Sequence, residues 1–220
     1  MNVTITYVDL SRPFAEYEKY LPLVSAKRRE RISRFKIEKD KIISLFTELL
    51  IRSEISQQLG ISFSEIDFEY GEHGKPYILN NRNYCFSVSH SDNCIAFAGG
   101  MFPIGIDVER VSHRNMKIAK RFFTADECKA IEESNEPEET FYKVWTSKEA
   151  YVKMLGAGLS KSFRSFDIAD KSLGCRFATK RLPEFMLTVC TEKISGDEII
   201  INETDAGSLL SKCQRKCQRP

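Results

Sequence analysis

The stretch Gly99-Gly-Met-Phe-Pro-Ile-Gly-Ile-Asp-Val-Glu109 lies near the midpoint of the 220-residue chain and determines how the chain is organised. Its first two glycines and Pro103 favour a turn. Residues 104–109 then alternate in polarity, which predicts a strand with one apolar face. The order of predicted elements starts again at this strand. We therefore predict an α+β fold with two similar subdomains in one chain, although no internal sequence identity is visible.

Each half is predicted to combine a strand, a helical region and antiparallel strands. The first half has predicted strands at 3–8, 66–70, 84–89 and 94–98, a helical segment at 14–24 broken by Pro22, and one long helical region at 25–59 stopped by Gly60. The second half has helical stretches at 115–132 and 138–155 and strand-like runs near 163–168, 174–179, 185–190 and 197–201. We predict subdomains at 1–102 and 103–210, followed by a loose basic tail at 211–220.

Composition narrows the class of protein. Hydrophobic residues make up 42% and charged residues 29% of the chain, which is ordinary for a globular protein and excludes a disordered or collagen-like chain. A net charge of +2 argues against a general nucleic-acid coat protein. Neither a spanning apolar run nor a signal peptide is visible. The seven cysteines are scattered without CxxC pairs, which indicates free thiols, so we expect a cytoplasmic protein.

Two acidic residues share one face of the central strand. Asp107 and Glu109 are two positions apart, so their Cα atoms stand about 7 Å apart and their side chains point the same way. Such a pair suits a hard divalent cation such as Mg²⁺, and Gly105 on the same face is expected to leave space beside it. An ordinary exposed strand face would carry the same residues.

A third acidic residue lies on a predicted helix, in Trp145-Thr-Ser-Lys-Glu-Ala-Tyr-Val-Lys153. Glu149 and Lys153 are one turn apart and share a helix face. They form either a surface ion pair or a third carboxylate with a cation for a phosphate.

The segment Phe86-Ser-Val-Ser-His-Ser91 places Ser87 and Ser89 on one strand face and His90 at the strand end. Hydroxyls and an imidazole there could bind phosphate, while a structural histidine is the simpler alternative. A Ser-His nucleophile pair is disfavoured because adjacent residues on a strand face opposite sides.

Basic residues are concentrated between residues 27 and 41, with eight basic and three acidic side chains. Arg28 and Arg31 are one helical turn apart and could clamp a terminal phosphate with their guanidinium groups. A solvated charged face is the alternative, and a nucleic-acid patch lacks interleaved aromatic residues. Further along, Gly74-Lys75-Pro76 forms a turn that would hold Lys75 in a fixed pose.

These segments, in this order, resemble the 4′-phosphopantetheinyl transferases, and most closely the larger Sfp type with two similar halves in one chain. Gly105–Glu109 and Trp145–Lys153 match the two signature motifs of the family. Gly74-Lys-Pro76 and Ser89-His90 match its coenzyme A contact motifs, and Arg121-Phe-Phe123 with Glu127 is similar to the segment between the signatures. This chain has Ser87 where the family often has asparagine, and Arg28 and Arg31 where it often has lysine.

The resemblance implies a pseudo-dimer of the 4′-phosphopantetheinyl transferase fold and a reaction. The phosphopantetheine arm of coenzyme A moves to a serine of an acyl or peptidyl carrier protein, and adenosine 3′,5′-bisphosphate leaves. A monomer is expected because two halves already build one cleft, and neither nucleic acid nor a membrane is an expected partner.

The resemblance also implies roles for individual residues. Asp107, Glu109 and Glu149 would hold Mg²⁺ with the pyrophosphate. Our mechanistic hypothesis is that Glu149, directly or through a metal-bound water, takes the proton of the carrier serine, and that Lys153 neutralises or protonates the leaving phosphate. Lys153, Ser89 and His90 would contact phosphates, and Arg28 and Arg31 would take the 3′-phosphate. Gly74, Lys75 and Pro76 would lie near the nucleotide, and Ser44 in a helix region that approaches coenzyme A. A non-catalytic nucleotide-binding module and a DNA-binding regulator using residues 27–41 are the alternatives.

Overall fold

The computed structural model describes residues 3–10, 14, 16–79, 81–112, 116–192 and 199–217. The strands within these ranges are β1 Val3–Asp9, β2 Phe68–Tyr70, β3 Pro76–Ile78, β4 Cys85–Ser91, β5 Cys94–Gly100, β6 Ile104–Arg110, β7 Cys175–Arg181, β8 Phe185–Glu192 and β9 Ile199–Asp205. The α-helices are α1 Ala26–Ser33, α2 Glu38–Leu59, α3 Met116–Phe122, α4 Ala125–Glu132, α5 Pro137–Leu155 and α6 Ala206–Cys217. No α-helix in these ranges is both long and apolar enough to cross a bilayer.

The two halves share one topology. In the first half, hairpin β4–β5 places β5 beside β1, and in the second half hairpin β7–β8 places β8 beside β6. Both contacts are antiparallel, and each half inserts its long helix, α2 or α5, between its first strand and its hairpin. The predicted α+β fold with two similar subdomains is therefore confirmed.

The end of the chain returns to the first half. Strand β9 pairs with β1 in parallel, in register from Val3 with Ile199 to Asp9 with Asp205. Helix α6 then buries Leu209, Leu210 and Cys213 in the first-half core. The predicted loose tail is wrong up to residue 217, because apolar side chains at helical spacing give α6 a face to bury; residues 218–220 lie outside the described ranges. The boundary at 102/103 stays a prediction, but residues 199–217 pack with the first subdomain.

The predicted helix over 25–59 is two helices. Helix α1 begins after Ser25, whose Oγ accepts from Arg28 N (3.1 Å), and a turn over residues 34–37 separates it from α2. A continuous helix would hold Arg28 and Glu48 about 30 Å apart at 1.5 Å per residue. The turn instead folds α1 back onto α2, and their side chains form an ion pair of 2.9 Å.

Three other predicted elements differ. The 14–24 segment contains a 3₁₀ helix, Tyr17–Leu23, that includes Pro22. The 115–132 stretch is interrupted because Thr124 and Glu127 form a capping box that starts α4. Residues 163–168 contain a short 3₁₀ helix, Phe163–Ser165, instead of a strand. Carbonyl groups there accept hydrogen bonds from a buried lysine rather than from a neighbouring strand.

Strand β6 lies between the two halves. Its apolar face, Ile104, Ile106 and Val108, packs in one core with β1, β5 and β8. Its other face contacts α5 so closely that a Cβ at Gly105 would overlap the Ala150 carbonyl oxygen and the Met154 amide nitrogen. Gly105 therefore does not leave open space beside the acids; it lets the α5 backbone approach the strand that carries them.

Candidate active site

Strands β4 and β6 belong to different sheets and are joined by serine side chains. Period-two alternation points Ser87, Ser89 and Ser91 toward β6. The bonds run from Ile106 N to Ser87 Oγ (3.1 Å), from Ser89 Oγ to Asp107 Oδ1 (2.7 Å) and from Ser91 Oγ to Glu109 Oε2 (2.8 Å). This row of hydroxyls positions both strand acids relative to the first half of the molecule.

Asp107 is the most enclosed of the three acids, with 3% of its surface exposed. Its Oδ1 accepts from Lys153 Nζ (2.7 Å) as well as from Ser89, whereas its buried Oδ2 has no hydrogen-bond partner in the described part of the chain. Burial raises the pKa of Asp107 above its usual value despite the pull of Lys153. A buried oxygen with unused lone pairs is a natural ligand for a cation.

The other two acids, Glu109 and Glu149, lie close enough to Asp107 to interact with it electrostatically. Burial, and then the Asp107 carboxylate, raise the pKa of Glu109 and of Glu149. Helix α5 thus brings Glu149 to the strand pair, as the sequence predicted. The described residues contain no preassembled group of three or more His, Cys, Asp or Glu side chains at metal-ligating spacing. The three carboxylates repel one another electrostatically, and their oxygens do not converge on one position.

Two cavities lie along this seam. One, of about 690 Å³, is lined by residues that include Glu149, Lys153, Lys75 and Ser87. The other, of about 420 Å³, is lined by residues that include Arg28, Arg31, Ser44 and His90. Gly74, Pro76, Phe86 and Val88 line both cavities. Lys153 connects the larger cavity to Ser89 and Asp107, which do not line either one.

The smaller cavity is electropositive. Arg28 and Arg31 approach it from α1, and Ser44 from α2. Desolvation lowers the pKa of His90, and the charges of Lys153 and Arg31 lower it further. Cations from α1 and α5 therefore act on the imidazole and outnumber the one acid, Asp40, that lines this cavity, an arrangement that favours a bound anion.

Lys75 has a structural role that the sequence analysis did not predict. Its ammonium group donates to the carbonyl oxygens of Lys153 (2.7 Å), Met154 (2.8 Å) and Ile104 (3.2 Å). Desolvation lowers its pKa. The charge thus caps the C-terminal end of α5 and ties it to the start of β6. The side chain still lines the larger cavity, so proximity to a nucleotide stays a prediction.

Replacing Lys75 with methionine is expected to lower the free energy of unfolding by about 2 kcal/mol, because charge-assisted hydrogen bonds to three carbonyls are lost. Chemical denaturation of the ligand-free protein measures this. Lys120→Met is the matched control, since Lys120 makes only an exposed ion pair with Glu132. Unchanged stability of Lys75→Met would show that the ammonium group has no structural role.

A buried ion pair that the sequence analysis missed holds the outer side of α5. Lys148 is fully buried and pairs with Glu127 Oε2 (2.9 Å). Its ammonium group also donates to the carbonyl oxygens of Phe163 (2.7 Å) and Phe166 (2.6 Å). Because Lys148 precedes Glu149, these bonds fix the rotation of α5 that presents Glu149 to β6. A lysine within a helix offers no local sign of such distant partners.

Comparisons with known proteins agree with this architecture. Residues 12–101 match the family model "4'-phosphopantetheinyl transferase, N-terminal", and residues 103–201 match "4'-phosphopantetheinyl transferase superfamily". The chain is 34% identical over 170 residues to 4'-phosphopantetheinyl transferase Sfp of Bacillus subtilis (strain 168), covering 76% of each chain. It is 30% identical over 198 residues to 4'-phosphopantetheinyl transferase psf-1 of Bacillus pumilus, covering 83% of this chain and 85% of the other.

Two subdomains of the same topology with an acidic and cationic seam between them define a transferase of the phosphopantetheinyl class. The chain belongs to the 4′-phosphopantetheinyl transferase family, and it is Sfp-like. It is accordingly an enzyme that transfers a phosphopantetheinyl group.

Proposed function

We propose that this transferase takes the phosphopantetheine arm from coenzyme A and attaches it to a serine of an acyl or peptidyl carrier protein. Adenosine 3′,5′-bisphosphate is released. The observation that carries the proposal is the state of Asp107. One carboxylate oxygen accepts hydrogen bonds from Lys153 and Ser89, and the other is buried beside two further acids with no partner in the part of the chain that the structure describes.

The charged ends of the seam match the charged groups of coenzyme A. Lys153, in the larger cavity, suits the pyrophosphate. Arg28 and Arg31, in the smaller cavity with His90 and Ser44, suit the 3′-phosphate. Gly74 and Pro76 line both cavities, so their loop would lie along the nucleotide between the two phosphate sites.

We propose that the acidic trio takes Mg²⁺. Two observations support this: Asp107 Oδ2 has no hydrogen-bond partner among the described residues, and the carboxylates repel one another. Asp107, Glu109 and Glu149 would hold the ion. When bound, it supplies positive charge that offsets the diphosphate and the three carboxylates.

The chain's own residues account for the proton and the leaving group. In the metal-free chain, burial and the neighbouring carboxylates raise the pKa of Glu149, and a bound cation would lower it again. Glu149 is therefore assigned the proton because of its place beside the two strand acids. Glu149 takes the proton of the carrier serine as the serine oxygen forms a bond to the β-phosphorus. The bond from that phosphorus to the bridging oxygen breaks, and the Lys153 ammonium group neutralises the departing phosphate.

Mass spectrometry of a carrier protein tests the proposal. An apo acyl carrier protein and an apo peptidyl carrier protein are incubated with the enzyme, coenzyme A and Mg²⁺. A mass gain of one phosphopantetheine on at least one carrier is expected, lost with EDTA and restored by excess Mg²⁺. A mass gain unaffected by EDTA would refute the metal assignment, and no gain on either carrier would refute the proposed donor and acceptors.

Coenzyme A binding is expected to take up a proton at His90. Lys153, Arg31 and desolvation lower the imidazole pKa in the free enzyme, below a usual value of about 6.5, while Asp40 and Asp107 oppose this. A bound phosphate raises it again. Affinity should therefore be constant below the free-state pKa and fall as pH rises through the complexed-state pKa.

Calorimetry at pH near 7, in buffers of different ionisation enthalpy, measures this proton uptake. His90→Gln should abolish it. Equal heats in all buffers for the unaltered enzyme would contradict the placement of a phosphate beside His90.

We also propose that the enzyme acts as a cytoplasmic monomer. None of the six described cysteines forms a disulfide, in keeping with a reducing compartment. Both predicted phosphate sites lie within one chain.

A further inference from the structure

Glu48, on α2, is a buried acid outside the set that the motifs single out, with 2% of its surface exposed. Its two oxygens accept four hydrogen bonds. Oε1 accepts from Ser25 N (2.7 Å) and Arg52 Nε (2.8 Å), and Oε2 accepts from Arg28 Nε (2.9 Å) and Ser25 Oγ (3.1 Å). These hydrogen bonds and the two cations lower the pKa of Glu48 despite its burial. It is therefore a charged group that ties α1 to α2.

Its two arginine partners differ in what else they contact. Arg52 is buried, and its Nη1 donates to the carbonyl oxygens of Phe63 (2.7 Å) and Ile66 (3.0 Å), so it is committed to the core. Arg28 lines the smaller cavity. Its Nη1 reaches Ser44 Oγ at 3.4 Å, and within the described ranges its Nη2 has no acceptor.

Glu48 accepts a hydrogen bond from Nε of Arg28, the guanidinium nitrogen nearest to the main chain. A bond through Nε leaves the two Nη groups for a ligand, and the planar group then has little freedom left to lose when an anion binds. Two guanidinium groups share one carboxylate, so the cluster keeps a net charge of +1. Glu48 thus orients Arg28 without cancelling the positive charge at the cavity.

We propose that Glu48 is a positioning residue that aims Arg28 at the 3′-phosphate and so sets the preference for coenzyme A over 3′-dephospho-coenzyme A. The inference rests on the proposed function, in which Arg28 receives that phosphate. It adds a residue that lies outside the lining of the smaller cavity and acts on the phosphate through Arg28.

Steady-state kinetics with the two donors test this. Glu48→Gln keeps the shape and removes the charge; it is expected to raise KM for coenzyme A about tenfold, with kcat and the KM for 3′-dephospho-coenzyme A changed less than about twofold. Arg28→Ala should raise the KM for coenzyme A further. The double variant Arg28→Ala/Glu48→Gln should have the same KM as Arg28→Ala alone. Glu133→Gln is the matched control, since Glu133 forms an exposed ion pair with Lys129 and lines neither cavity.

Each outcome decides the inference. Equal increases in KM for both donors in Glu48→Gln would show a structural role only and overturn it. Glu48→Asp keeps the buried charge but shortens the reach to both arginines, so it tests the same selectivity if the glutamine variant does not fold. Unchanged donor preference in a folded Glu48→Asp would overturn the inference. If Arg28→Ala keeps full preference for coenzyme A, the inference fails although the enzyme remains a transferase. Failure of the unaltered enzyme with both donors would refute the proposed function itself.

Discussion

Asp107→Ala is expected to lower carrier modification by about three orders of magnitude or more, with the fold retained. The substitution removes the buried oxygen that the proposed cation would contact and the acceptor of the Lys153 ammonium group. Stability should not fall, because the carboxylate is buried with one oxygen unsatisfied and its removal relieves a desolvation cost. Lys153 keeps 31% of its side chain exposed and is able to hydrate when its partner is lost.

Mass spectrometry of the carrier measures the turnover, and thermal unfolding measures the stability. Asp126→Ala, an exposed acid on α4, is the control and should retain full activity. Normal turnover by Asp107→Ala would refute the assignment of the acidic trio. A large loss of stability would mean that Asp107 serves the fold instead.

Lys148→Met is expected to cost about 3–5 kcal/mol of unfolding free energy, the range for removing one partner of a buried ion pair. It leaves Glu127, whose side chain is 3% exposed, without its cation, and it deprives the Phe163 and Phe166 carbonyls of their donor. Activity should fall as well, since the same bonds fix the rotation of α5 that presents Glu149.

A double-mutant cycle separates the pair from its surroundings. Glu127→Gln added to Lys148→Met should destabilise the protein by less than the sum of the single variants, because no buried charge then lacks a partner. Urea unfolding measures all three variants. A loss below 1 kcal/mol for Lys148→Met would contradict a structural ion pair at this position.

Local sequence patterns predicted the geometry of single strands and helices well. Alternation placed Asp107 with Glu109, and Ser87 with Ser89, because a strand has a fixed period of two. Helical spacing placed Glu149 with Lys153. The period of a strand could not predict that the serines of β4 face the acids of β6. This contact depends on which strands become neighbours in space.

The features that the sequence analysis did not predict depend on partners far away along the chain. The Lys75 and Lys148 side chains would pass for exposed or ligand-binding groups in sequence, but their acceptors are backbone carbonyls 15 to 79 positions away. The turn over residues 34–37 contains no glycine or proline to mark it. Folding α1 onto α2 buries Ile32 in the first-half core and lets Glu48 pair with Arg28, and neither long-range contact is visible in a local pattern.

The most direct test is the linkage between Mg²⁺ and coenzyme A. Calorimetry gives the Kd of coenzyme A for the unaltered enzyme and for Asp107→Ala, each with Mg²⁺ and with EDTA. If the acids of β6 and α5 share one ion with the diphosphate, Mg²⁺ tightens coenzyme A binding about tenfold or more in the unaltered enzyme and has no effect in the variant. An identical Kd with Mg²⁺ and with EDTA in the unaltered enzyme would contradict the account.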